Sequence, residues 1–255
     1  MHRSFRYTRI FLFLPAIFLL ITGMFSFSTR DKNIVAVPPA KHDTLVIHVM
    51  HMAGGRPFNP DSTYTNQSGE TYRVTKWKYY LSNFRLDGKR VPDTYFLVNA
   101  FDPQDIVLPM RDEKLKTISF LIGVDSARNN SGAQTGALDP MNDMFWTWNS
   151  GYVMFKLEGS SASSTGDLKR IEHHLGGYEG PYKAMRMITL NLPEKLKSKE
   201  SGIIHLTLEV NLDAYWGGEQ PLRIADHPLI TTKGTLASQA ADHLPAMFSI
   251  LPATD

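Results

Sequence analysis

Seven runs of the chain carry the side chains of a pleated sheet, and nothing between them is long and periodic enough to be a crossover helix. The runs are Thr44–Met50, Tyr72–Leu81, Tyr95–Val98, Thr117–Ile122, Gly151–Leu157, Ala184–Leu190 and Gly202–Val210. Each is rich in β-branched and aromatic residues and partly alternates, and clusters of Gly, Pro, Asn and Asp separate them. Parallel strands need helical crossovers, so this pattern predicts an all-β fold, an antiparallel β-sandwich or barrel with long loops. Only Pro221–Leu229 and Leu236–Met247 read as short helices. No repeat of fixed period interrupts the body, which reads as a single β-domain over 44–252.

The N-terminus has a different character. Met1–Arg9 is basic, and Ile10–Phe27 is an almost unbroken apolar run. That combination reads as an export signal over residues 1–30, followed by a polar, Pro-containing linker over 31–43. The run is close to the ~20 residues that span a bilayer, so a retained anchor is the alternative to cleavage near Ser26 or Ser28. Either way the body is expected in the periplasm or at the cell surface, with membrane contact only through this segment.

Composition excludes several function classes. The 27 basic and 25 acidic residues leave a formal charge of +2 with no long like-charged run, which argues against nucleic acid as a partner. With no cysteine there is no disulfide, thiolate metal site or covalent haem. Any metal must be held by nitrogen, oxygen or thioether. No Ser-His-Asp spacing, nucleophile elbow, paired carboxylates or phosphate loop marks an enzyme.

The chemistry concentrates in three places. Two of the four tryptophans, Trp146 and Trp148, stand one residue apart in Met144–Lys156, and on a strand they would share a face. Two histidine segments end in Gly-Gly turns, His51–Gly55 and His173–Gly177. On extended backbone His48 and His51 point to opposite faces, as do His173 and His174, so one of each pair is expected to look inward. Two imidazoles with a third nitrogen would suit copper or zinc, copper being favoured on intrinsic affinity. Tryptophan has no usable lone pair, however, and would have to be altered before it could serve as a ligand. The long loop Val124–Asp143 carries Asp125, Asp139, Asn142 and Asp143; a calcium site is conceivable there, but Asx and Asp-Pro turns account for the same residues.

These segments together resemble the MbnP-like family of copper-binding proteins associated with methanobactin operons. The resemblance rests on His51–Pro57, Tyr79–Leu86, Phe120–Ser126, Gly136–Pro140, Met144–Tyr152 and His174–Gly177, and covers roughly Thr44 to Phe248. It implies an exported, non-catalytic protein that binds copper, as Cu(I) or Cu(II), for acquisition or storage. It further implies a site made of His51, His174 and a kynurenine formed from Trp146 or Trp148 by a partner di-haem enzyme of the cytochrome c peroxidase and MauG type. Opening the indole leaves an aromatic amine with a lone pair. Asp125 and Asn149 are the groups expected to orient the ligands. The alternative is a metal-free interaction module whose tryptophan pair docks a haem peroxidase or a carbohydrate.

Overall fold

The computed structural model describes residues 43–110, 114–132, 134–146, 151–193 and 202–251. The export segment, the linker up to residue 42, Trp148 and Asn149 lie outside the described residues. Among the described residues no helix is long and apolar enough to cross a membrane.

Among the described residues fifteen strands form in chain order: β1 (Asp43–Ala53), β2 (Arg56–Pro57), β3 (Tyr64–Thr65), β4 (Thr71–Leu86), β5 (Lys89–Arg90), β6 (Tyr95–Asn99), β7 (Ile106–Met110), β8 (Thr117–Ile122), β9 (Phe145–Trp146), β10 (Gly151–Ser160), β11 (Arg170–Gly176), β12 (Arg186–Asn191), β13 (Ile203–Asn211), β14 (Leu229–Ile230) and β15 (Phe248–Leu251). Three short helices join them: α1 (Ser126–Asn129), α2 (Leu212–Trp216) and α3 (Thr235–Ala241). Each of the seven expected runs holds a strand, though Ala184, Met185 and Gly202 fall just outside theirs. The first sheet runs β15-β13-β1-β2, with β7 also on β1, and the second runs β12-β8-β4-β10-β11-β14.

The sheets are mixed rather than purely antiparallel. β1 pairs with β13 in parallel from Thr44↔Ile203 to Met52↔Asn211, and β11 pairs in parallel with β14. The connection between β1 and β13 holds β2, β7 and all of the second sheet but β14, which is why no local helix in the sequence announces a parallel pair.

The expectation of a helix over Pro221–Leu229 is overturned. This stretch is irregular up to β14, and the amides of Ile224 and Ala225 donate to the buried Glu70 carboxylate at 2.8 and 2.9 Å. A side chain from the residue just ahead of β4, distant in sequence, takes the place of the helical acceptors, and Pro221 and Pro228 offer no amide for a ladder. Leu236–Met247 divides into α3 and a 3₁₀ turn over Leu244–Met247, with Pro245 in the second. α2, unanticipated, starts where the Asn211 side chain accepts from the Asp213 amide and caps it.

Alternation decides which side chains meet between the sheets. In β1, Leu45, Ile47, Val49, His51 and Ala53 are buried while the residues between them are half-exposed. From the second sheet Trp77, Tyr79, Phe155, Leu157, His173 and Leu175 join the same core. Its aromatic groups pack edge to face, for example Tyr79 on Phe248 at 5.8 Å and Phe248 on Phe120 at 5.6 Å. β10 differs, because Gly151 to Leu157 are buried without a break. That pattern needs cover on both faces of the sheet, and the loop from Val124 to Trp146 supplies the second cover.

Candidate functional site

Each Gly-Gly turn is built for a different reason. After His51, Gly54 and Gly55 take φ of +61° and +71°, the pair of left-handed residues that a two-residue hairpin between Ala53 and Arg56 requires. Their amides donate to the two oxygens of Asp213, at 2.8 and 3.0 Å, so the turn is clamped onto α2. After His174 the constraint is crowding. A Cβ on Gly176 would come within 2.3 Å of Cζ3 of Trp146, so the indole occupies the space that any side chain at Gly176 would fill.

That contact fixes a face. His174 and Gly176 are two residues apart in β11 and project to the same side of the sheet, so Trp146 lies over the side on which His174 stands. This outer face also carries Lys76, Lys156 and Glu158. His174 is registered with Lys156, and its Nε2 meets Glu158 Oε1 at 2.9 Å. Nδ1 of His174 has no hydrogen bond among the described residues. Lys76 Nζ lies 3.2 Å from Glu158 Oε2 and 2.7 Å from Asp143 Oδ2, and Lys156 Nζ lies 3.0 Å from Asp143 Oδ1. Lys156, a residue only 5% exposed, also donates from its ammonium to the Asp143 carbonyl. Asp143 therefore pins the long loop to β4 and β10.

The carboxyls of this face titrate low. The His174 hydrogen bond holds Glu158 below the usual carboxylate range, with Lys76 assisting against the opposing effect of burial. Burial acts to raise Asp143, and Lys76 and Lys156 overcome it.

His51 is elsewhere. It looks into the core, where Nε2 meets the Tyr79 hydroxyl at 2.8 Å and the ring lies edge-on to Trp77 at 4.8 Å. Tyr79 is registered with Phe155 and Lys156 with His174, so His51 reaches the inner face of the second sheet while His174 stands on the outer one. The two imidazoles that the resemblance joins in one site are thus separated by the sheet. Burial lowers the His51 pKa to about 4, so the ring is neutral.

His173, the neighbour facing inward, is a second neutral core histidine, with Nδ1 on the Tyr215 hydroxyl and Nε2 on the His227 carbonyl, each at 2.7 Å. Burial likewise brings its pKa to about 4. The opposite orientations of His173 and His174 follow from strand alternation, as expected.

Asp125 does not orient an imidazole. It caps α1 through the Arg128 amide and accepts from Asn83 and from the Tyr95 hydroxyl. The other loop residues act locally: Asp139 caps the 3₁₀ turn Pro140–Asn142, and the Asn142 amide reaches the Gly136 carbonyl. Among the described residues no cluster of three or more His, Asp or Glu side chains is arranged to hold a metal, calcium included. Sequence reasoning missed Glu158, Lys76 and Lys156; the alternation of charge with Phe155 and Leu157 in β10 was the signal that they share one face.

Residues 42–233 match the family model described as MbnP. The chain belongs to the MbnP family. The solved structure of MbnP from Methylosinus trichosporium aligns with a TM-score of 0.53 at 11% identity, over 82% of this chain and 98% of that one. At that identity the likeness is one of fold. No curated protein matches the sequence. The MbnP segment takes in both Gly-Gly turns, the long loop, Trp146 and His174, and it stops before α3 and β15.

Proposed function

We propose that this MbnP family member is an exported copper-binding protein, serving acquisition or storage rather than catalysis, and that its metal face is the outer one that carries His174. The observation behind this reading is the seat of Trp146 on Gly176 beside His174, whose Nε2 is engaged by Glu158. A carboxylate on one imidazole nitrogen fixes the tautomer and leaves the other as the donor, the arrangement typical of metal-ligating histidines. Nδ1 of His174 is then the first ligand.

As encoded the face offers one imidazole, because an indole has no lone pair to give. Oxidation of Trp146 or Trp148 to kynurenine by a di-haem partner of the cytochrome c peroxidase and MauG type would supply an aromatic amine as the second nitrogen. His51 is not part of this set; it is a core residue whose role is packing and the Tyr79 hydrogen bond.

The test is intact mass, peptide mapping of Met144–Lys156 and copper analysis on protein from its native host, for wild type, His174→Ala and His51→Ala. Kynurenine adds about 4 Da, one carbon lost and one oxygen gained. The expected result is a shifted tryptophan with one copper per chain, copper lost in His174→Ala and kept in His51→Ala. Unmodified tryptophans and no copper would point to the metal-free docking module instead.

A further inference from the structure

A second pair of histidines lies on the other sheet, far in sequence from the face described above. His48 of β1 and His205 of β13 both project from the outer side of the first sheet, which Val46, Thr207 and the exposed Val107 also line. They are not directly opposed, since His48 is registered with Thr207 and Val46 with His205. The diagonal offset brings His48 Nε2 to 2.9 Å from His205 Nδ1. The ring centroids are 5.2 Å apart with planes 3° apart, so the imidazoles meet nitrogen to nitrogen rather than face to face.

On its far side His48 Nδ1 meets Asp105 Oδ1 at 2.8 Å. Asp105 directly precedes β7 and so lies across from His48 on the opposite edge of β1. Its carboxylate keeps the hydrogen on Nδ1 of His48 and leaves the lone pair on Nε2. His205 Nδ1 then holds the one hydrogen between the rings. All three side chains are accessible, with His48 43% and Asp105 49% exposed.

From this geometry we infer a surface metal site, distinct from the His174 face, in which His48 Nε2 and His205 Nδ1 take two cis positions on a divalent late transition metal ion. Metal–imidazole bonds of about 2.0–2.1 Å subtend about 90° across a nitrogen–nitrogen gap of this size, the angle of adjacent positions in a tetragonal site. The adjustments are small. Rotation about χ2, a soft torsion for histidine, turns both lone pairs to one point above the sheet. His205 moves its hydrogen from Nδ1 to the solvent-facing Nε2, so the metal displaces no net proton. Water fills the remaining positions, and Asp105 acts as the positioning residue that keeps His48 Nε2 a donor. Imidazole donors without thiolate suit nickel, copper and zinc, and the cis angle favours the first two.

Ni²⁺ alone is the suitable probe, because it separates this site from the copper reading. Calorimetric titration of the full, untagged chain is expected to show one Ni²⁺ bound. Affinity should fall about tenfold or more in His48→Gln and in His205→Gln, fall partly in Asp105→Asn, and stay unchanged in His174→Gln. The glutamine variants sit on an exposed sheet face and are expected to unfold at the wild-type temperature, which circular dichroism checks. Absence of Ni²⁺ binding to the wild-type chain, or binding that persists in the His48→Gln/His205→Gln double variant, overturns the assignment.

Discussion

At the scale of single residues, two kinds of pressure act on the motif positions: crowding at Gly176 and burial at the inward histidines. Gly176→Ala drives a methyl group into the Trp146 ring, and overpacking of this sort costs about 1–3 kcal/mol. If the indole is the whole cause, Trp146→Leu should relieve part of that loss, so the double variant is less destabilised than the two single changes added together. Urea denaturation of the four proteins measures the coupling, and strict additivity would mean that something other than Trp146 excludes the methyl group. Burial makes a different prediction for His51 and His173. Both have folded pKa values of about 4, below the ordinary value of 6.5, so between those limits the unfolded chain binds protons that the folded chain refuses. Stability is therefore unaffected above about pH 6.5, and it falls as pH drops towards 4 by up to about 3 kcal/mol for each histidine. The depressed carboxyls Glu158 and Asp143 contribute stability that is lost only at lower pH, as each is protonated. Unfolding free energies measured from pH 7 to 4 should show this slope, reduced by about one proton in His51→Gln.

Between residues and the whole molecule stand the contacts that hold one element to another. The Gly54–Gly55 hairpin is tied to α2 by two amides on the Asp213 carboxylate, and such charge-assisted bonds are individually stronger than neutral ones. Asp213→Ala is expected to cost about 1–2 kcal/mol, discounted for the exposed setting, and to speed amide hydrogen exchange in the turn while the β1–β13 ladder stays protected. Uniform loss of protection along β1 would contradict a local clamp. At this scale the strands were legible because their signal is local: β-branched and aromatic runs in β4, β8 and β13 name themselves. Which face a strand turns to its neighbour is local too, and the opposed pairs His48/His51 and His173/His174 followed from alternation alone. Which sheet each inward face then meets is not local. His51 and His174 share a Gly-Gly context yet end on opposite sides of the second sheet, because β1 belongs to one sheet and β11 to the other. The irregular course of Pro221–Pro228 was equally hidden, since its hydrogen-bond acceptor, Glu70, is supplied by residues far away in sequence.

At the scale of the molecule, the segment that the family model matches and the part that completes the core do not coincide. The family match ends at residue 233, ahead of α3, the Leu244–Met247 turn and β15. Those later residues are structural. Ala237, Ala240, Ala241, Leu244 and Met247 are buried, β15 pairs with β13, and Phe248 packs between Tyr79 and Phe120. Without them β13 becomes an edge with open backbone groups, and the aromatic layer between the sheets loses one wall. Phe248→Ala alone should cost about 3–5 kcal/mol, a large share of the about 5–15 kcal/mol that a domain has in total. Because β13 is also the parallel partner of β1 along nearly its whole length, damage at this end reaches the first strand of the body. A chain ending at residue 233 is therefore expected to lack a cooperative thermal transition and to expose apolar surface to a hydrophobic dye, whereas Phe248→Ala unfolds in a single transition at lower temperature. A truncated chain that melts cooperatively near the wild-type temperature would show that the 42–233 segment closes its own core.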